Sequence, residues 1–264
     1  MKGYEIFKKI LILGGTTEAS ALIKNCRDQE NLDLVLSLAG VTQSPVLPAR
    51  IVTRIGGFGG TIKMAEWLKD NQIHAIIDAT HPFAQQITKN AYQAARIADV
   101  PYLRLERPAW QKKPGDIWHE VKTVEEAVLK LGKDPLRVFV TIGRKELLPF
   151  KECAVSHHYW IRSVDRPQEC YLPRHVQLIQ AKGPFDEADE MAFLKHHQIH
   201  YIVSKNSGGQ TVYAKISAAR KLKIPVILIQ RPIMEPMPCV DTWQQAQQWI
   251  FQIEYQNPNS DKEG

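Results

Sequence analysis

The chain repeats itself, and that constrains its fold more than any other feature. Leu68-Lys69-Asp70-Asn71-Gln72-Ile73-His74-Ala75-Ile76-Ile77 recurs as Leu194-Lys195-His196-His197-Gln198-Ile199-His200-Tyr201-Ile202-Val203, 126 residues later. Further on, Ala94-Ala95-Arg96 matches Ala218-Ala219-Arg220, Pro101 matches Pro225, and Arg107-Pro108 matches Arg231-Pro232, now at a spacing of 124. The slip falls where 78–84 faces 204–208; insertions collect in loops, so it marks a loop after a strand. Weaker matches flank this region. Residues 10–13 running into Gly14 resemble 138–142 running into Gly143, and Val121-Lys122-Thr123-Val124-Glu125-Glu126-Ala127 resembles Val240-Asp241-Thr242-Trp243-Gln244-Gln245-Ala246. Thr123 and Thr242 stand as helix N-caps, with Glu126 and Gln245 at the reciprocal capping-box position. Strand ends, caps and Arg-Pro stops shared in the same order indicate a duplication.

Within each half, short apolar runs alternate with helical patterns. In the first, strands are expected at 10–13, 34–36, 76–77 and 102–105, and helices at 18–25, 62–70 and 85–98. In the second, strands are expected at 138–142, 159–161, 176–180, 201–203 and 226–229. This alternation predicts an α/β fold of two duplicated Rossmann-like domains with parallel sheets. The expected division is a first domain over 1–110, a connecting segment with a helix over 111–135, and a second domain over 136–253. A polar tail, 254–264, is expected to be disordered. The helices near 122–132 and 242–253 could pack on either half.

Bulk properties exclude several classes. No apolar run approaches the roughly 18 residues of a membrane span, and the run at 10–13 is too short for a signal peptide, so a cytoplasmic protein away from membranes is expected. Four scattered cysteines, with no paired ligand spacing, read as reduced thiols and predict no bound metal. The net charge of +6 is spread without a basic run, which argues against nucleic acid and leaves room for a small polyanionic ligand. A monomer or small homo-oligomer is expected.

Ligands of open parallel sheets bind beyond the carboxyl ends of the strands, and the loops there have unusual composition. Gly14-Gly15-Thr16-Thr17 follows the first strand and opens a helix, a place suited to a phosphate although its spacing is not GxGxxG. Gly56-Gly57-Phe58-Gly59-Gly60 offers close backbone approach and one aromatic ring for stacking or packing. Asp78-Ala79-Thr80-His81-Pro82-Phe83 places a carboxylate at a strand end, a candidate cap in Thr80, and an imidazole that could give up a proton. Lys205-Asn206-Ser207-Gly208-Gly209, the equivalent loop of the second half, reads as an anion nest; Lys215 beyond it reads as a solvated surface residue. Arg144 stands at the second half's counterpart of the first glycine turn. Arg104, Arg107, Arg162, Arg166 and Arg231 lie at or after predicted strands, where guanidinium groups could hold carboxylates. After the second strand no acidic residue waits for a ribose diol; Ser37 and Thr42 stand there instead, which leans towards NADPH, with NADH possible.

Taken together, the loops 14–19, 37–40, 56–60, 78–84 and 205–209 and the stops Arg107-Pro108 and Arg231-Pro232 resemble the precorrin-6A reductase family, which includes the cobalt-precorrin-6A reductases. The resemblance runs from about residue 10 to 232. It implies a cytoplasmic, two-domain Rossmann-like reductase of cobalamin biosynthesis with its ligand cleft between the domains. It implies hydride transfer from a nicotinamide to C19 of a tetrapyrrole, with protonation at C18. On this reading Gly14, Gly15, Thr16, Thr17, Ser37, Thr42, Gly57 and Thr80 hold the cofactor. Phe58, Gly59, Arg144, Lys205, Asn206, Ser207, Gly208 and Arg231 meet the substrate, and Asp78 or His81 supplies the proton. Two other readings of the residues stay open: a nicotinamide-dependent reductase of a smaller anionic metabolite, and a non-catalytic two-domain anion-binding protein.

Overall fold

A computed structural model describes residues 7–40 and 51–253. In chain order its elements are β1 (Lys8–Leu13), α1 (Thr17–Cys26), β2 (Leu32–Leu38), β3 (Val52–Ile55), α2 (Thr61–Asp70), β4 (Ala75–Asp78), α3 (Gln85–Ala98) and β5 (Tyr102–Leu105). There follow β6 (Trp118–Val121), α4 (Val124–Leu131), β7 (Arg137–Thr141), α5 (Leu148–Lys151), β8 (His158–Ser163), β9 (Val176–Gln180), α6 (Glu187–His196), β10 (Tyr201–Lys205), α7 (Ala214–Leu222) and β11 (Val226–Ile229). The last two are β12 (Cys239–Val240) and α8 (Trp243–Gln252).

These elements form two compact units, each around a six-stranded parallel sheet ordered β12-β5-β4-β1-β2-β3 and β6-β11-β10-β7-β8-β9. The central strands of the first sheet, β1, β2 and β4, are largely apolar and buried because both faces are covered. Ile10, Ile12, Leu34, Leu36 and Ile77 meet Leu22 and Ile23 of α1 and Ala246 and Ile250 of α8 on one face. Leu11, Leu13 and Val35 meet Met64 and Leu68 of α2 and Ala91, Ala94 and Ala95 of α3 on the other. In the second unit Phe139, Ile202 and Leu228 pack under Leu194 of α6 and Ile216 and Ala219 of α7.

The register of the strands reproduces the spacing of the repeats. Ile76 pairs with Tyr102 and Ile202 with Val226, positions 126 and 124 residues apart in the two copies. The non-glycine residues with left-handed backbone, among those described, match in the same way: Gln72 with Gln198, and Asp99 with Lys223. His74 and His200 also coincide. Each accepts, at Nδ1, a backbone N–H at the start of the neighbouring strand, from Lys9 at 2.7 Å and from Arg137 at 3.2 Å.

One feature departs from a plain tandem array. The sixth strand and helix of each copy lie in the unit of the other. β6 and α4, which follow the first copy, complete the second sheet beside β11; β12 and α8, which follow the second copy, complete the first beside β5. The registers are equivalent, Ile229 to Val121 and Leu105 to Val240. The units therefore divide differently from the expected 1–110, 111–135 and 136–253. The second is Pro108–Ile233, and the first runs to Arg107 and resumes at Met234. The segment 111–135 is an integral edge of the second sheet rather than a connector, and α8 belongs with the first. The expected tail, 254–264, lies outside the described residues.

Candidate functional site

In the first unit the loops after β1, β3 and β4 leave the carboxyl ends of adjacent strands. Gly14 N–H donates to Ser37 O at 2.9 Å, Gly56 N–H to Leu38 O at 2.8 Å, and Ala79 N–H to Leu13 O at 2.9 Å, so each loop leaves the sheet in register with its neighbour. Gly14 is needed for packing, since a Cβ there would come within 2.5 Å of Leu36 Cδ1. Gly15 is needed for its backbone, at φ +109°, and nothing lies within 4 Å of where its Cβ would project. Beside that open space begins α1, whose first N–H groups have no intrahelical acceptor. Free N–H groups of this kind are suited to an anion.

The hydroxyls of the turn bond within the protein rather than pointing at a ligand. Thr16 Oγ1 caps α1 by accepting from Ala19 N–H and donates to Ala79 O at 2.7 Å. Thr17 Oγ1 donates to the carboxylate of Glu18. These residues offer an anion their backbone N–H groups, with the Thr16 side chain tying the first turn to the loop after β4. Glu18 would repel a phosphate, but Arg107 pairs with it.

Asp78 is completely buried. Its Oδ1 accepts from Thr80 N–H at 3.0 Å and Thr80 Oγ1 at 2.7 Å, and its Oδ2 from Tyr102 OH at 2.9 Å and Arg104 Nη1 at 2.8 Å. Arg104 reaches on to Thr88 and Glu106. Burial and the Asp78 carboxylate push the Tyr102 phenol up, so it stays a donor. This knot locks β4 to β5 and α3. It removes Asp78 from the reach of a substrate, and it takes up Thr80, which is 9% exposed. Thr80 caps no helix: α3 starts at Gln85 behind Ala84, without a side-chain cap. His81 is exposed, with Nδ1 accepting from Phe83 N–H at 3.3 Å.

Phe58 was expected to face a ligand. Its ring instead stacks on the guanidinium of Arg54, 3.7 Å away, and meets Trp67 edge-on at 5.3 Å. Gly57 and Gly59 flank it, Gly57 with open space where a Cβ would stand. Sequence reading missed Arg54. It sits on β3 opposite Ser37 of β2, and its Nη1 donates to Ser37 Oγ at 3.0 Å and to Gly56 O at 2.9 Å, its Nη2 to Gly57 O at 3.1 Å. Short and half-exposed, β3 lacks the apolar run that reveals a strand; an arginine just before a glycine cluster was the available signal. Thr42 lies outside the described residues.

In the second unit the loop after β10 is rigid. Asn206 is buried and its amide is taken up by the chain at Trp110, Oδ1 accepting Trp110 N–H at 2.8 Å and Nδ2 donating to Trp110 O at 3.2 Å. It holds the loop rather than a ligand. Gly208, at φ +73°, presses against Pro108: a Cβ there would lie 2.0 Å from Pro108 O. Arg231 Nε and Nη2 donate to Asn206 O and Ser207 O, so it too braces the loop. Lys205 pairs with Glu146, and Arg144 lies 3.6 Å from Asp165. Lys215 is not a surface residue. It is buried, donates to Val212 O at 2.9 Å, lies 5.3 Å from the Trp110 ring, and is pushed down to about 8 by desolvation. Arg104, Arg107, Arg162 and Arg166 each pair with a carboxylate of this chain, where a lining for substrate carboxylates was expected.

Residues 9–251 match the model of a family described as precorrin-6x reductase CbiJ/CobK. The chain belongs to that family. Relatives include a protein named precorrin-6A reductase from Sinorhizobium sp, 46% identical over 90% of each chain. Another of that name, from Rhodococcus erythropolis, is 44% identical over 86% of this chain and 91% of its own. A cobalt-precorrin-6A reductase from Priestia megaterium is 30% identical over 86% and 91%. Among solved structures, one titled CobK precorrin-6A reductase superposes with a TM-score of 0.87 at 38% identity, covering 93% of this chain and 96% of its own. Membership agrees with the duplicated parallel-sheet architecture and with the resemblance read from the loops. Among the described residues no helix is long and apolar enough to cross a membrane.

Proposed function

We propose that this chain reduces precorrin-6A with NADPH, adding a hydride and a proton across a carbon–carbon double bond of the macrocycle. The observation that carries the reading is similarity along almost the whole chain to proteins named precorrin-6A reductase. The open glycine turn beside the start of α1 supports it independently. Identity falls from 46% and 44% for relatives named for precorrin-6A to 30% for one named for the cobalt form, which favours the metal-free substrate.

The nicotinamide, when bound, supplies the hydride. Gly14, Gly15 and the first N–H groups of α1 would hold the diphosphate, with Ser37 at the adenosine ribose. The Asp78 knot would keep the loop 79–84 in place, and Gly57 would let backbone approach the ligand. Of the two candidate proton donors, His81 is exposed, whereas Asp78 is enclosed; His81 or water would deliver the proton. Lys205 and Ser207 would take a substrate carboxylate, Lys205 giving up Glu146 to do so, while Asn206, Gly208 and Arg231 hold their loop in shape. A substrate rich in carboxylates suits such a cationic loop.

Incubating the purified protein anaerobically with precorrin-6A and NADPH tests the reading. Nicotinamide oxidation should match, one for one, a product two hydrogens heavier. Cobalt-precorrin-6A should turn over more slowly. Absence of NADPH oxidation with precorrin-6A would refute the assignment.

A further inference from the structure

We infer that Arg54 selects a dinucleotide carrying a 2′-phosphate. The inference rests on the reading that the first glycine turn holds the diphosphate of a nicotinamide dinucleotide, and it names the residue that sets which one. In a sheet of this kind the adenosine ribose lies over the end of the second strand, where an acidic residue marks a free diol and a nearby arginine accommodates a phosphate. Here β2 ends Ser37-Leu38-Ala39-Gly40, with no carboxylate. Ser37 O accepts the N–H of Gly14 from the glycine turn, and Ser37 Oγ accepts from Arg54. The end of β2 is thus bounded by the diphosphate turn on one side and by the guanidinium on the other.

The state of Arg54 is what sets it apart. Arg104 and Arg107, the other arginines at strand ends of this sheet, are both paired with carboxylates. Arg54 has no acidic partner among the described residues, and nothing among them accepts from its Nε. It is nonetheless held still. Two glycine carbonyls and a serine hydroxyl fix one edge of the guanidinium, and Phe58 lies against its face with Trp67 beyond at 5.5 Å. Partial burial lowers its pKa, as expected of a cation with no carboxylate beside it. A fixed guanidinium fork without a counter-ion matches a phosphate dianion far better than a ribose diol. Phe58, expected to meet the substrate, acts here through Arg54.

The experiment compares ligands that differ by this one phosphate, using the full-length protein and calorimetric titration. Wild type should bind 2′,5′-ADP more tightly than 5′-AMP, and NADPH more tightly than NADH. Arg54→Gln should weaken 2′,5′-ADP and NADPH by about tenfold to a hundredfold, the value of a charge-assisted contact, and change 5′-AMP and NADH by less than about threefold. In Ser37→Asp, a carboxylate beside Arg54 should pair with it and reverse the preference towards NADH; this arm stands even if Arg54→Gln fails to fold. Equal weakening of all four ligands by Arg54→Gln would make the residue merely a brace for the glycine loop and overturn the inference, as would no weakening of any. Failure of the wild type to bind either dinucleotide would instead remove the reading of the glycine turn beneath it.

Discussion

At the scale of single residues, the candidate site divides into groups open to a ligand and groups that hold those in place. Asp78 tests the division. Its carboxylate is enclosed by four donors and is the buried partner of Arg104, whose side chain is 5% exposed. Removing the Asp78 charge leaves the buried Arg104 with part of its countercharge, since Glu106 remains beside it. Asp78→Asn should therefore cost about 3 kcal/mol of stability in urea denaturation, whatever it does to turnover. A stability within about 0.5 kcal/mol of wild type would show that Arg104 does not depend on it. Sequence identified the loop and the residue but could not tell a reactive carboxylate from a buried anchor, because Tyr102 and Arg104 reach it from another strand. The same limit applied to Asn206, whose partner Trp110 lies 96 residues away in the chain. The glycine turn at Gly14-Gly15 and the helix after it were legible because a glycine turn leading into a capped helix is a local pattern. Arg54 was not, since its neighbours come from β2 and from the glycine loop.

Among elements, the capped helices α4 and α8 carry the most information. Thr123 Oγ1 accepts from Glu126 N–H, and Thr242 forms a full capping box with Gln245, as their matching sequences predict. Each cap should contribute about 1 kcal/mol, but to the unit other than the copy it follows in sequence. Thr242→Ala should speed hydrogen exchange in β1, β4 and β5, and Thr123→Ala in β7, β10 and β11. The opposite pattern would contradict the exchanged topology. Strands at 102–105, 176–180 and 226–229 and the helix at 85–98 agree with the sequence to the residue, because long alternating or buried runs are set locally. The edge strands β3, β6 and β12 were missed. Half-exposed and two to four residues long, they carry little apolar signal, and nothing local in β6 or β12 says which sheet it will join.

Two properties belong to the molecule as a whole. The first is acid sensitivity. Burial lowers the pKa of His74, with Lys9 adding to it, and burial lowers that of His157 and His197. His74 must stay neutral at Nδ1 to accept Lys9 N–H, and His157 accepts Leu136 N–H while its buried Nε2 has no partner among the described residues. A lowered native pKa means that below the ordinary value near 6.5 the unfolded chain takes up protons that the folded one refuses. Stability is then full above about pH 6.5 and falls as the pH drops towards the lowered values. Urea denaturation at about pH 7.5 and 5.5 should show the loss, and His157→Gln, which keeps an acceptor and cannot charge, should reduce it. The second property follows from the exchange of β6-α4 and β12-α8. The second unit is one continuous stretch, Pro108–Ile233, with its edge strand at the start. The first is made of two pieces, and without the second piece its sheet loses β12 beside β5 while Ile10, Ile12, Leu22, Ile23 and Leu34 lose Ala246, Ile250, Trp243 and Trp249. Uncovering such a face removes several buried side chains at roughly 1.5–3 kcal/mol each, against the 5–15 kcal/mol that holds a typical domain together. A fragment of residues 108–233 should therefore unfold cooperatively on its own, whereas residues 1–107 should be degraded quickly by protease. Joining 234–253 to the end of 1–107 by a short linker should restore resistance. If 1–107 alone proved as resistant as the joined form, α8 and β12 would be ornaments on a sheet that folds without them.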